Sequence, residues 1–512
     1  MDEFDDAYSI KNSRYKKPMV NLIKKSVHQL LFKIGVKMVS SAESQYQQRL
    51  NRYVTAMFNE KPDRIPLRIF AEEFSAKYCG YSNYDVAVNL ELQFDVNRKF
   101  ALETGIDAVP TNSIVNWFGM QKALGWNGIT YPGIGLPVDV VNQWDEPATE
   151  EEAFLKVTEY DEFIDDPTAF LVNFWFPRFT RHIKQIGSPV TFDHNMSLIN
   201  GIMAYNKFFN TWGAKTNELI QAGVVPAAGS VLKAPLDILG DKLRGYVNLC
   251  FDLHEHRDKV IKACEALIPH LLKLVLGGAD PAGNIPSIIW MHRGCIPFIS
   301  RKDFEEIYWP TLKPIVEELW AHGHQIIFYA EGNWDHHLDS FAELPEKSII
   351  FHCDKTDIHK AHKVLGKKFC LSGGVPHELL SMGTREEVKD RCKLVIDSIA
   401  QDGGYIMDSS ALLTNDAKVE NVKTMIDFTL DYGTYSQSGR TTVSINDLKK
   451  TEKPELKKLD YRQQKRKPGV CIPWDEKRKE LPKIIEREEI TQKVWEDVDS
   501  LGYSFCWTNL TW

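Results

Sequence analysis

QIIFYAE (residues 325–331), SIIFHCD (348–354), FCLSGG (369–374) and YIMDSS (405–410) are four short apolar runs in one stretch of the chain. Each is β-branched or aromatic and stops abruptly at polar residues or glycine, and helix-patterned segments separate them. Short buried strands alternating with helices predict a parallel sheet covered by helices. Polar residues at successive strand ends predict a (β/α)8 barrel of the TIM type, which places its chemistry at the C-terminal ends of its strands.

Working outward, further strands are expected at 67–70, 105–110, 224–231 and 287–292, with helices over 41–59, 85–104, 243–276, 304–322, 356–365, 384–400 and 415–432. Thr384 with Glu387 three residues on has the form of a capping box. Ser300 is a candidate N-cap, and Pro310 and Pro314 predict a kink or break in the helix that follows. Residues 19–39 carry apolar positions at helical spacing among many lysines. Such a helix can lie on a membrane surface or pack on its own domain or a partner, and the second is expected here. Residues 111–223 resist assignment. Their aromatics (Trp117, Trp126, Tyr131, Trp175) either line a pocket or fill the core, and core packing is the default. The organisation read is an N-terminal helical extension (1–50), one barrel (51–435) and a C-terminal linker and docking extension (436–512).

The chain has 512 residues, of which 43% are hydrophobic and 26% charged, a globular composition. A net charge of −8 argues against a nucleic-acid partner. Nine cysteines without a CxxC pair read as reduced thiols, and the expected location is the cytoplasm. No apolar run approaches the roughly 20 residues of a membrane span. The chain has no GxxxxGK followed by Ser or Thr, no GxSxG and no GxGxxG after a strand, so nucleotide-dependent chemistry is not indicated.

Side chains alternate along a strand. Ile327, Tyr329 and Glu331 therefore share a face, as do Ile350, His352 and Asp354, then Ile288, Trp290 and His292, and then Met407 and Ser409. If these faces look inward, His292, Glu331, Asp354 and Ser409 converge at the mouth, with His352 one layer below. Two carboxylates and one or two imidazoles suit either a metal or general acid–base work. Glu331 and His352 are the candidate metal ligands, and Glu331, His292 and Asp354 the candidate catalytic groups.

Ordered pieces of this chain resemble the uroporphyrinogen decarboxylase superfamily, which includes zinc- and corrinoid-linked methyltransferases. They include Lys61-Pro-Asp-Arg-Ile-Pro66, Gly105-Ile-Asp107, Ala234-Pro-Leu-Asp-Ile-Leu239, Tyr308-Trp-Pro310, Glu331-Gly-Asn333, Gly373-Gly-Val-Pro376, Gly403-Gly404 and Glu420-Asn421. The resemblance implies a barrel with its site at the C-terminal mouth. It also implies a methyltransferase component of a corrinoid-dependent demethylation system, with zinc as cofactor and cobalamin on a separate corrinoid protein. The other implied activity is a cofactor-free decarboxylase or related lyase, in which Arg68 and Arg293 hold an anionic substrate beside Asp107. A non-catalytic barrel that binds a tetrapyrrole or a protein partner is the third reading. Expected partners are a small-molecule substrate, a corrinoid protein and a second copy of the chain. Tyr329 and Ser409 are expected to touch substrate. Where the methyltransferase branch has its zinc-binding His-x-Cys-Gly-Asn, this chain has Tyr329-Ala-Glu-Gly-Asn333, and where that branch has a further Cys it has Ser409-Ser410.

Overall fold

The computed structural model describes residues 42–113, 117–451, 453, 455 and 464–511; the helix expected over 19–39 lies outside them. Eight strands build the central sheets: β1 (Ala108–Val109), β2 (Val225–Pro226), β3 (Val231–Lys233), β4 (Ser287–Met291), β5 (Ile326–Ala330), β6 (Ile349–Cys353), β7 (Cys370–Gly373) and β8 (Tyr405–Ile406). From β3 to β8 they form one six-stranded parallel sheet in chain order, and β1 pairs in parallel with β2. Isolated parallel bridges, Leu67↔Met407 and Arg68↔Ala108, connect the two sheets through the segment expected as the first strand. The strand expected at 224–231 is split into β2 and β3. Ala227 N–H donates to Val109 on one side, and Gly229 N–H donates to Pro286 on the other. The ladders thus describe parallel sheets in a mixed α/β fold, interrupted at 227–230.

The residues dictate which face is which. Ile288, Ile327, Tyr329, Ile350, Cys370 and Ile406 form one buried cluster with Tyr53, Val54 and Met57 of the helix over 42–57 and with Phe58 just after it. Phe328, Phe351 and Leu371, one residue out of phase, join the larger cluster under the outer helices. Full burial of each such side chain is worth about 1.5–3 kcal/mol, so a one-residue slip in any strand is prohibitive. In β8 the expected phase is reversed. Ser372 pairs with Ile406, which puts Ile406 inside, and Met407 joins the outer cluster. The inward group after Ile406 is therefore Asp408, and Ser409 instead donates its hydroxyl to Ala411 O at 2.6 Å.

Helices follow their local signals. Thr384 and Glu387 make the capping box of α5 (Arg385–Ile399), and Ser300 caps the helical run before α4 (Trp309–Ala321). The expected disruption there is a π-helical turn over Phe304–Tyr308, next to Pro310 at the start of α4, because proline offers no N–H to the preceding turn. The helix expected over 85–104 is two, Asn83–Val88, boxed by Ser82 and Asp85, and α1 (Leu92–Thr104). The largest surprise is α2 (Phe192–Gln221), 30 residues in the region that resisted assignment. Helix α6 (Val419–Tyr432) packs on α5, and near the C-terminus α7 (Glu488–Thr511) packs on α3 (Arg257–Gly278): Trp507 stacks on His270 at 4.0 Å, and Tyr503 bonds the His270 ring at 2.7 Å.

Candidate active site at the strand ends

A cavity of about 400 Å³ opens at the C-terminal ends of β3, β4 and β5. Aromatic side chains line part of its wall: Phe70, Trp290 from β4, Trp144, Phe154 and Phe179 from the segment before α2, and Trp212 from α2. Thr511 brings the end of α7 to the same wall. Opposite the rings stands a charged cluster built by three consecutive strand ends.

Asp241 is its centre. Its carboxylate accepts from His292 Nε2 (2.6 Å), Lys233 Nζ (2.6 Å) and Arg293 Nε (3.0 Å). Burial alone would raise this carboxyl, but Lys233, His292 and Arg293 hold it well below the usual range. Burial disfavours charge on His292, yet Asp241 and Asp237 outweigh it and raise the imidazole above its ordinary value. Asp237 lies beneath, accepting from the Arg293 backbone N–H at 2.7 Å and Tyr308 OH at 2.9 Å. It thereby fixes the turn that carries His292 and Arg293.

Glu331 follows β5 and faces the cavity with its side chain about a third exposed (34%). Trp290 Nε1–H donates to its Oε1 at 3.0 Å, and Oε2 lies 4.0 Å from His292 Nδ1. That Nδ1 has no hydrogen-bond partner among the described residues. Burial raises the Glu331 carboxyl more than the His292 and Trp290 contacts lower it. The following Gly332 has φ 84°, and a Cβ there would stand 2.5 Å from Cys295 Sγ, so the chain turns away from the site at the one residue able to do so. Lys242 also lines the cavity. Burial, reinforced by Lys233, brings its amine down to about 7. Its Nζ sits 4.5 Å over the Trp144 ring and has no carboxylate partner among the described residues.

Of the residues expected from the sequence, His292, Glu331 and Arg293 therefore meet at one cavity, with Arg293 engaged by Asp241 and Glu146. The others do not. Asp354 turns aside to accept from Gly332 N–H at 2.8 Å. Tyr329 is fully buried, its ring stacked between Trp290 (4.5 Å) and His352 (4.3 Å). Arg68 is equally buried and donates to Asp408 at 3.1 Å. Asp107 precedes β1, at the opposite end of the strands, where Arg52, Arg64 and the Leu67 N–H neutralise it. Asp241 and Lys233, which the sequence reading missed, had a signal. Lys233 ends a strand, and Asp237 and Asp241 follow it four residues apart, spaced to share one helical face.

The zinc donor set does not fit. His352 is locked, its Nε2–H donating to Ser410 O (3.1 Å) and its Nδ1 accepting from Arg68 (3.2 Å) and facing Ser372 Oγ (3.0 Å). It lies a layer below Glu331, so the pair cannot share one ion. Tyr329 and Ser409 occupy the places of thiolate-branch ligands. Among the described residues no three His, Cys, Asp or Glu side chains are grouped to hold a metal. Nor is any described helix long and apolar enough to cross a membrane.

Residues 220–432 match the family model described as Uroporphyrinogen decarboxylase (URO-D). No curated protein matches the chain. A solved methyltransferase from Methanosarcina mazei is similar in structure, with TM-score 0.50 and 15% identity over 75% of this chain and 98% of that one, a likeness of fold. The residues of the family-model match, 220–432, include Lys233, Asp241, His292 and Glu331.

Proposed function

We propose that the protein is the methyltransferase component of a corrinoid-dependent demethylation system, acting on a methyl group bound to a heteroatom of a small molecule. In this reading the strand positions close as a (β/α)8 barrel, with 227–230 as a bulge and the cavity at its mouth. The observation that carries the proposal is Glu331, a carboxyl raised by burial at the wall of an aromatic cavity, with a histidine behind it.

Breaking a methyl–heteroatom bond leaves the electron pair on the heteroatom, which departs far more easily if it is protonated as it leaves. Trp290 holds Oε1 of Glu331 and leaves Oε2 to carry the proton. Glu331 gives that proton to the leaving atom as the methyl group moves to its acceptor. A cobalt corrinoid on a separate protein supplies the nucleophile. His292, kept charged by Asp241, then returns a proton to Glu331 across the 4.0 Å gap. Lys242, the cavity's cation without a carboxylate partner, receives an anionic or acceptor group of the substrate. No step passes through zinc. The lyase reading is less favoured, because Arg68 and Asp107 are neutralised away from the cavity.

The test is methylcobalamin formation from methyl ethers, with free cob(I)alamin as acceptor. Glu331→Gln is expected to lower kcat by about 10²–10⁴-fold. Wild-type kcat should fall as pH rises through the elevated Glu331 pKa, and the variant should lack that limb. Methyl donors whose leaving group needs no proton, such as sulfonium or quaternary ammonium compounds, should react equally well with both. Release of CO₂ from a carboxylated substrate without any methylcobalamin would overturn the proposal.

A further inference from the structure

A second cavity, of about 360 Å³, lies between the helix Phe118–Leu124 and the strand Ile129–Pro132, outside residues 220–432. Three of its lining side chains are more than nine-tenths buried yet carry polar atoms without partners among the described residues. They are Gln121 (2% exposed), with both amide atoms free, Trp126 (7%), with Nε1 free, and Tyr131 (3%), with its hydroxyl free. A buried polar group left unpaired costs about 1–3 kcal/mol. Four such atoms around one cavity describe a surface shaped for a polar ligand. Core packing, the default for these aromatics, describes Trp126 and Trp175 in the main cluster and Tyr131 in a small one with Ala87, but Trp175 donates its Nε1–H to Lys242 O at 2.7 Å, whereas the polar atoms of Trp126 and Tyr131 find no partner among the described residues.

The ionisable groups at this cavity are all basic except the Tyr131 phenol: Lys122 and Arg181, both exposed, and His182. Arg181 uses Nε on Asn127 Oδ1 and its backbone N–H on Gly125 O, both at 2.9 Å, and its two Nη groups have no partner among the described residues. Phe118 meets Tyr131 edge-on at 5.3 Å, giving the cavity aromatic surfaces.

From this combination we infer that the second cavity binds an adenine mononucleotide. A free primary amide presents one donor and one acceptor side by side, the pattern that pairs bidentately with the amino and ring nitrogens of adenine. The rings of Trp126 and Tyr131 suit a planar base, and their N–H and O–H suit its remaining acceptors or the ribose. The cationic rim suits phosphate, with Arg181 able to offer paired N–H groups. The volume is at the small end for ligand sites, which favours a mononucleotide over a dinucleotide. No phosphate-cradling glycine motif is needed, because side chains at the rim do that work; the site binds and does not transfer phosphoryl groups. It also adjoins the main cavity. Trp126 packs at 4.8 Å on Phe179, which lines that cavity, so the two sites share a wall.

Calorimetric titration of the full chain with adenosine monophosphate, adenosine and inorganic phosphate, each alone, tests this inference independently of the demethylation reading. One saturable site per chain is expected for adenosine monophosphate. Adenosine and phosphate should each bind at least about tenfold more weakly. Gln121→Leu should weaken nucleotide binding at least about tenfold, while the ligand-free thermal midpoint stays level or rises because two unpaired atoms leave the interior. If that variant does not fold, Trp126→Phe removes a single N–H and should still weaken binding severalfold. No saturable heat with millimolar adenosine monophosphate overturns the inference. So does phosphate binding as tightly as the nucleotide, or a folded Gln121→Leu that binds like the wild type.

Discussion

His352 and His292 stand on the same sheet, one layer apart, and behave as different chemical groups. His352 is in the layer of Trp290 and Tyr329, with both ring nitrogens committed and Arg68 beside it. Burial, and then the Arg68 charge, push its pKa well below the ordinary value, so it is a neutral spacer. His292 is two residues beyond Trp290, where the strands end and Asp241 reaches in from the following helical turn. There the same imidazole is held charged, with one nitrogen free toward Glu331. The same contrast holds for the carboxylates. Asp408 is buried against Arg68 and pushed up to about 7 by that burial, whereas Asp241 meets three cations and is pushed down. In the inner layer His352 and Asp408 are engaged by Arg68 and by backbone groups, and the mouth leaves some of that capacity for a substrate.

The largest test of this contrast is Arg68→Met. It strands Asp408 in the interior, and removing one partner of a buried ion pair costs about 3–5 kcal/mol. Urea unfolding should show that loss, and a second change, Asp408→Leu, should recover part of it. A loss below about 1 kcal/mol would mean that the inner layer is not held by this pair.

The two histidines should also act on stability with opposite signs. For His352 the unfolded chain binds the proton more readily, so its contribution falls as pH drops below about 6.5. For His292 the folded protein binds it more readily, so its contribution is complete below about 6.5 and is lost as pH rises through the folded pKa. Each slope is at most about 1.4 kcal/mol per pH unit. His352→Gln should flatten the acid side of the stability profile and His292→Gln the other side. Equal effects on both sides from either variant would erase the distinction.

The smallest expected change is Tyr329→Phe. The Tyr329 hydroxyl is fully buried without a partner among the described residues, so deleting it should leave stability within about 0.5 kcal/mol of wild type or slightly above. A loss of more than about 1 kcal/mol would reveal a bond to that hydroxyl and a direct role for Tyr329.

The strands of the 325–410 stretch were legible because each buries both faces and is bounded by glycine or polar residues. Alternation placed His292 and Glu331 correctly for the same reason. It failed in β8, where two residues of ladder follow Gly403-Gly404 and the pairing with Leu371 and Ser372, not the local pattern, sets the phase. The expectation for Asp107 rested on the resemblance and not on alternation, and it failed because the residue stands just before β1 and not at its end. The 30-residue α2 was hidden because few of its positions are buried: Gly201, Phe208 and Leu219 are its fully buried residues.

By itself the sequence determined the parallel α/β architecture, several helix caps and the layer from which Glu331 and His292 project, because these follow from period, burial and local hydrogen bonding. The tertiary structure alone decided which polar groups stay free. Whether a histidine is a spacer or a proton relay depends on carboxylates and cations from other strands and turns, and their distance is set by packing and not by spacing along the chain. Asp241 charges His292, and Arg68 with Ser410 silences His352, across gaps of 51, 284 and 58 residues.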